Sequence, residues 1–585
     1  KDGKHQLEKR VIDNEQWYKL RHWGQVGHSK NPGDPEPASA WLLNSIANKH
    51  ADAMDNFPQP NVLPREEDDK QDAELLSSIL PTLLEQSRFE QTYSDVWWYK
   101  LKSGTGVYGV FWNPSLQKGL GDVDIRKLDL LNLFWEPGVC DVQKSRNLFI
   151  VDLADRELLA QQYPQVKEGI NATLDVAKYV YDDNVDAKDK VPVVDWYYKL
   201  SVDGREVLHY CKFVGDTVLY ASENEPEYAE TGFYDHGKYP VVFDTLFPVE
   251  GSPAGFGYVD VCKSPQIYID KLDQVIIKSA VAGARPRWWV RGDGQVNEAE
   301  YADQSKDFVH FNGSGNPNES IFPITPPAMN AAALTVRTMK VDELKETSGN
   351  RDFNQGSTAS GITAASAIAA LQEAGSKLSR DIIKRSYTAF EEIGYLVIDL
   401  VRQFYEESRW FRVVGKDGEM KFVEFSGQQI AAKGQGNDFG LELGLRVPIF
   451  DLRVTAQKAS PFSTVAQNER AKELYGMGFF RPDLADQALA ALDMMQFDGI
   501  ESVRERIAQN GTLYQQVQQT GQLLMAMAQE LDALTGSGYT LQVQQMLGQQ
   551  LGGQQTTPQG TARAETVTNA VGEAFSRAKG DTASS

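Results

Sequence analysis

Two apolar helical stretches of similar length, separated by an insert that cannot be helical, constrain this chain most. The first opens at Ser264 and Pro265, which read as an N-cap and a first-turn proline, and runs through Ile269, Leu272, Ile276 and Ala280 to Gly283 and Pro286. The second runs from Ala328 to Thr347 and is closed by Gly349. Each spans roughly 30 Å at 1.5 Å per residue. Between them, PRWWVRGDG, KDFVHFNGSG and SIFPITPP are β-rich and punctuated by proline and glycine. The unit is therefore a helical hairpin with a decorated tip of about 40 residues.

After the polar loop NRDFNQGSTASG (350–361), a longer helix is predicted from Thr363 to Glu407. Its apolar stripe includes Ile368, Leu371, Ile382, Ala389, Ile393, Val397, Leu400 and Phe404, with a doubled interval across Ser386. Such a helix would reach on the order of 65 Å, a span that a large assembly uses more readily than a compact domain. RWFRVV and MKFVEF then read as a hairpin turning at Asp417-Gly418. Residues 464–508 read as short helices broken at Gly476, Pro482 and Gly499. The stretch 511–560 holds 14 Gln and only two charged residues, Glu530 and Asp532. Helices of that kind pack better beside copies of themselves than alone in water, and from 552 onward the chain is low in complexity.

Upstream, residues 1–90 read as helices with breaks. SAWLLNSIANKHADAMDNF (39–57) places Trp41, Leu42, Ile46 and Met54 on one stripe, and the three prolines of PQPNVLPREEDD stop it. A second helix runs from Asp72 toward Gly104 with a bend at Pro81. From about 104 to 250 the texture changes to short alternating runs, VYGVFW (107–112), VDIRKL (123–128), VVDWYYKLSV (193–202) and VLHYCKFV (207–214). The expected fold class is mixed α+β, helix-dominated, with an antiparallel sheet in this region.

Charge and cysteine content narrow the function. Asp and Glu number 81 against 59 Lys and Arg, a formal charge of −22, which argues against wrapping nucleic acid through many phosphate contacts. Cys140, Cys211 and Cys262 form no C-x-x-C pair, so a reducing compartment fits and neither a disulfide framework nor a cysteine zinc site is indicated. No eighteen-residue apolar run exists, and even YLVIDLV (395–401) contains Asp399. Neither secretion nor membrane spanning is expected.

Motifs for chemistry are sparse. Gly104-x-Gly106-x-x-Gly109 has the spacing of a dinucleotide loop, but it follows a helix and enters a strand, the reverse of what a pyrophosphate site needs; a glycine turn is the favoured reading. There is no G-x-x-x-x-G-K-[ST], G-x-S-x-G or H-E-x-x-H. His209 and Cys211 share a strand face without further ligands nearby, which favours a structural role. The run Glu66-Glu67-Asp68-Asp69 reads as a solvated face rather than a catalytic cluster. Arg285, Arg287, Trp288, Trp289 and Arg291 combine cations with aromatic faces. Single-strand binders do so, and so do protein interfaces, which is the favoured reading.

The order of these elements resembles the portal proteins, or head-to-tail connectors, of tailed double-stranded DNA bacteriophages. The likeness covers most of 40–510 and rests on FPQPNVLPREEDDKQDAELLSSIL (57–80), YGVFWNP (108–114), GDVDIRKLDLLNLFWEPG (121–138), GSTASGITAASAIAALQEAGSKLSRDI (356–382) and RVTAQKASPFSTVAQNERAKELYGMGFF (453–480). The resemblance implies a ring, normally of twelve copies, whose subunit has wing, stem, clip and crown. Carried onto this chain, 1–255 and 362–510 are wing, 256–284 and 328–349 the stem helices, 285–327 the clip, 350–361 a tunnel loop, and 511–585 a crown or barrel. It implies double-stranded DNA passing through the channel, a terminase and then a head-tail adaptor docking on the clip, and major capsid and scaffold proteins as further partners. Lys340, Lys345, Arg351, Asn354 and Gln355 become candidates for facing the DNA, and Arg287, Trp288, Trp289 and Arg291 for the clip interface. No cofactor, metal or catalytic residue is implied, and the implied location is the capsid vertex of a virion assembled in the host cytoplasm. Two other readings remain open: another virion structural subunit, and an acidic carbohydrate-active enzyme.

Overall fold

In the computed structural model the described residues are 5–170, 189–349, 377–458, 474–479, 485–492 and 500–545, less short breaks at 203, 285–286, 293–295, 304, 315, 325–330, 415–419, 435–436, 439–440, 443–444, 537 and 539. They fall into two units, Lys1–Ala459 and Ser460–Ser585. The first is mixed α+β. It opens with α1 (His5–Tyr18), α2 (His22–Val26) and α3 (Trp41–Asp55), and Leu42 and Ile46 of α3 are fully buried, as their spacing predicts.

Helix α3 ends ahead of the prolines expected to stop it, and the proline segment itself builds a strand, β1 (Asn56–Pro64). Pro58, Pro60 and Pro64 occupy alternate residues, so their missing N–H groups all lie on one edge while the other edge pairs antiparallel with residues 450–458. At the remaining position of that series, Val62 donates its N–H to Ser77 Oγ at 2.9 Å. The helix predicted from Asp72 is two helices, α4 (Lys70–Gln86) and α5 (Phe89–Ser103). Pro81 lies inside α4, and the break falls at Arg88, which takes a left-handed conformation with φ of 53°.

Of the three glycines after α5, Gly104 makes the turn, and Gly106 and Gly109 lie in the strand that follows. Gly104 caps α5 at φ 91°, and a Cβ there would lie 2.3 Å from the Phe256 carbonyl carbon. Gly106 leaves no room beside Val96, nor Gly109 beside the Phe111 ring. The chain passes directly into β2 (Thr105–Asn113), which pairs with β3 (Asp122–Lys127). A five-stranded antiparallel meander follows: β4 (Leu133–Trp135), β5 (Asn147–Asp155), β6 (Lys190–Val202), β7 (Arg205–Val214) and β8 (Thr217–Ala221), with the short α6 (Arg156–Gln162) after β5. His209 bonds Ser222 Oγ at 3.2 Å within this sheet. Strand β9 (Val241–Thr245) returns to the other edge of β2, and the hairpin β10 (Phe247–Val249) and β11 (Ser252–Phe256) leads out.

On the way, His236 accepts the Lys238 backbone N–H through Nδ1 at 2.9 Å, and burial, with Lys238 adding to it, brings the pKa of the ring down to about 3. An unfolded imidazole titrates near ~6.5. Between those values the unfolded chain takes up a proton that the folded chain refuses, so stability falls as pH drops through that window. We expect a loss of about 3 kcal/mol between pH 7 and pH 4 that His236→Asn, which keeps an acceptor for Lys238, removes. Urea denaturation of both forms at each pH measures it.

The longest described helix of this unit, α10 (Lys377–Phe404), crosses the core with Ile382, Ala389, Ile393, Val397 and Leu400 buried. Its predicted start near Thr363 lies outside the described residues. Ser386, the gap in its apolar stripe, is where a buried ion pair docks: Lys100 Nζ lies 2.6 Å from Asp244 Oδ1 and 2.7 Å from Ser386 Oγ, which donates to Asp244 Oδ2 at 2.8 Å. Two turns earlier Ser379 meets Lys49 (2.7 Å) and Asp52 (3.0 Å) in the same way. Lys49 and Ser379 are buried while Asp52 is half exposed, and buried polar groups need such partners.

Strands β14 (Arg409–Val414) and β15 (Met420–Phe425) form the predicted hairpin, with Phe411 and Phe425 turned inward. Short ladders follow, β16 (Lys433–Gly434) with β19 (Leu445–Arg446) and β17 (Asn437–Asp438) with β18 (Leu441–Glu442). They bring Arg446 to the acidic run, where Nη2 lies 2.5 Å from Asp69 and 2.9 Å from Glu66. Glu66, Glu67 and Asp68 are exposed, as expected of a solvated face, and only Asp69 departs from it, buried under the arginine. Strand β20 (Phe450–Lys458) then pairs with β1.

In the second unit, α11 (Ala485–Leu492) packs Ala485, Ala488 and Leu492 against Ile507 of α12 (Ile500–Thr535). Helix α12 is continuous where short helices ending at 508 were expected. Gly511 lies inside this helix, where its missing side chain admits Ala485.

Candidate functional site

The hairpin of two helices is present, and its root is polar. Helix α7 (Tyr258–Ala284) begins earlier than the Ser264-Pro265 cap implies, and Pro265 lies inside it. The start is set by Gly257, whose N–H donates to Asp260 Oδ2 at 2.9 Å and whose backbone crosses that of residues 101–104 too closely for a side chain. Every buried residue of α7 lies between Tyr258 and Asp270. Asp270 accepts from His22 Nδ1 (2.5 Å), Ser39 N (3.1 Å), Ser39 Oγ (3.0 Å) and Gln266 Nε2 (2.9 Å). The other ring nitrogen of His22 faces the Trp17 carbonyl at 3.0 Å. This network ties α1, α2 and the loop before α3 to the base of α7.

Helix α9 (Ala331–Ser348) is buried only at its far end, through Val341, Leu344 and Ser348. The two helices therefore share one buried end and project the other. Arg337 clasps Asp273 with two guanidinium nitrogens, and Lys278 holds Asp34 at 2.5 Å. Lys278 and Ser29 keep the Asp34 carboxyl below its ordinary pKa. On the projecting part Val275, Ile277 and Val281 of α7 and Leu334, Val336 and Met339 of α9 are exposed, Met339 by 63%.

The predicted DNA-facing lysines are already engaged. Lys340 Nζ lies 2.6 Å from Glu343 Oε2 and over the Tyr268 ring, and Lys345 lies over the ring of Trp41. The exposed face of α9 carries Asp342, Glu343 and Glu346 instead. Arg351, Asn354 and Gln355 lie outside the described residues. Reading the cations alone does not find this acidic face, although D-E-x-x-E at 342–346 has helical spacing.

At the projecting end stands a two-stranded ribbon, β12 (Arg287–Val290) with β13 (Ile321–Ile324), and a short helix, α8 (Glu298–Ala302), lies between them in sequence. Trp288 packs edge-on against Tyr301 of α8, with ring centres 5.2 Å apart. Trp289 is 68% exposed and faces Phe322 across the ribbon. Glu300 accepts from His310 N and Nδ1 (3.0 and 2.8 Å), bonds that hold its carboxyl below the ordinary range. Arg287 and Arg291 flank the tryptophans, so all four predicted tip residues come together on one strand and its continuation.

Among the described residues no group of three His, Cys, Asp or Glu side chains is arranged to hold a metal ion, and no helix is long and apolar enough to cross a membrane. A family model described as phage P22-like portal protein matches residues 50–564 of the 585. No curated protein matches the chain.

Proposed function

The chain belongs to the P22-like phage portal protein family, and on that premise we propose that α7 and α9 form the stem of a ring around a channel for double-stranded DNA. The family is a structural, non-enzymatic one of the virion, a ring-forming head-tail connector at the capsid vertex. The observation that carries the finer reading is the half-buried helix pair: a rooted end, and a projecting end whose exposed Val, Leu and Met side chains need cover. Neighbouring copies would supply that cover, since a heterologous contact repeated around an axis closes a ring.

In this reading the tip, 285–327, is the clip on which terminase and then adaptor dock, and residues 1–255 and 362–510 belong to the wing. Residues 350–361 form the tunnel loop, with Arg351, Asn354 and Gln355 toward the DNA, and residues 511–585, which include the Gln-rich part of α12, form the crown. The channel face is Asp342, Glu343 and Glu346, with Lys340 and Lys345 drawn onto the protein. Such a face lets DNA slide, because each phosphate neutralised would add affinity and drag. Purified chain should run near 780 kDa, as about twelve copies of 65.2 kDa. Negative-stain images should show a central hole. A monomer at all concentrations would remove the ring reading.

A further inference from the structure

We propose that the outer edge of β12 is a docking site for an extended strand of a different protein, one bearing an acidic residue and, two places along, an apolar one. The inference rests on the reading of residues 285–327 as the exposed tip. Its basis is which backbone groups the ribbon leaves open. The Arg291 N–H bonds the Ser320 carbonyl at 3.0 Å, which fixes the phase of the ladder. Residues 287 and 289 then bond across to Ile324 and Phe322, while the N–H and C=O groups of Trp288 and Val290 point outward. No described residue bonds the N–H of Trp288 or Val290. An open edge of this kind is a template for another strand.

The two edges of the ribbon differ. On β13 the outward positions are Ile321 and Pro323, and Pro323 has no N–H to offer. Pairing between neighbouring copies in a ring would set β12 of one against the outer edge of β13 of the next, and the proline blunts that partner. The same chain shows how outward N–H groups can be closed off. On the ribbon of β1 and β20, prolines fill three of the outward positions of β1, Ser77 takes the fourth, and Tyr395 accepts the outward N–H of Leu452 at 3.1 Å. Nothing comparable protects β12 among the described residues.

Side chains give the incoming strand its chemistry. Arg287 and Trp289 lie on one face of the ribbon, both exposed. A strand paired with β12 places residues opposite these two, where a carboxylate suits the guanidinium and an apolar group suits the indole. Backbone bonds then supply affinity and the alternate side chains supply choice of partner.

The test uses the assembled ring and the purified head-tail adaptor of the same phage. Hydrogen exchange should show the Trp288 and Val290 amides unprotected in the free ring and protected at least tenfold when adaptor is bound. Val290→Pro, which removes one outward N–H and keeps the bonds of residues 287 and 289 to β13, should leave the ring closed and weaken adaptor binding at least tenfold. Arg287→Glu, which leaves the backbone alone, should weaken it by a similar factor. Amides already protected in the free ring, or rings that fail to close with Val290→Pro, would assign the edge to a neighbouring copy and overturn the proposal. Unchanged adaptor binding in both variants would overturn it too. Absence of any ring from the unsubstituted chain is a separate outcome, which removes the portal-tip premise itself.

Discussion

Lys100→Met should destabilise the N-terminal unit by about 3–5 kcal/mol, the usual cost of leaving one partner of a buried ion pair alone. Lys100 and Asp244 are fully buried, and the ammonium also lies over the Trp97 ring at 4.3 Å. Burial pushes the lysine toward its neutral form, and Asp244 opposes that shift. The methionine fills the space but leaves the Asp244 carboxylate with Ser386 as its one remaining side-chain donor at this junction of α5, β9 and α10. Pairing the substitution with Asp244→Leu should recover part of the loss, because an apolar pair carries no unpaired charge. Denaturant titration of the full chain measures both. A double variant no more stable than the single one would show that packing volume, not charge, dominates the junction.

The same junction shows what a sequence withholds. The doubled interval at Ser386 is visible in the apolar stripe of α10, but a serine in a stripe names no partner; Lys100 and Asp244 arrive from 286 and 142 residues away. Alternation of β-branched and aromatic residues made β2, β3, β6 and β7 legible, since a half-buried sheet imposes that period directly. The prolines at 58–64 were legible as the end of α3 but not as a strand, whose protected edge their alternate spacing marks. A proline misled at 265, where Gly257 and Asp260 fix the helix start through contacts with residues distant in sequence. At the tip, the composition of residues 287–291 revealed the clustering of Arg and Trp. The open edge of β12 was not legible, because it depends on the ladder phase and on where Pro323 falls in it. On α9 the lysines were legible as cations and not as spent ones, since Glu343, Tyr268 and Trp41 occupy them only once the helices are packed.

That last point carries the largest functional prediction. Changing Asp342, Glu343 and Glu346 together to Lys shifts each copy by +6, or about +72 for a ring of twelve, on the face proposed to line the channel. The three side chains are exposed, so folding and ring closure should survive. Lys340 would lose Glu343 and stand as a further cation. The channel should then hold DNA: if about 6–10 phosphates are engaged at once, retention of a linear fragment should fall by ~10³–10⁵ between 50 and 200 mM salt, where the unsubstituted ring shows no such dependence. Packaging in a reconstituted head should stop with only a short length of DNA inside, because each step forward would have to break contacts that the acidic face never makes. If the substituted ring packages at the normal rate and stays indifferent to salt, this face of α9 does not line the channel, and the lumen belongs to another surface of the stem.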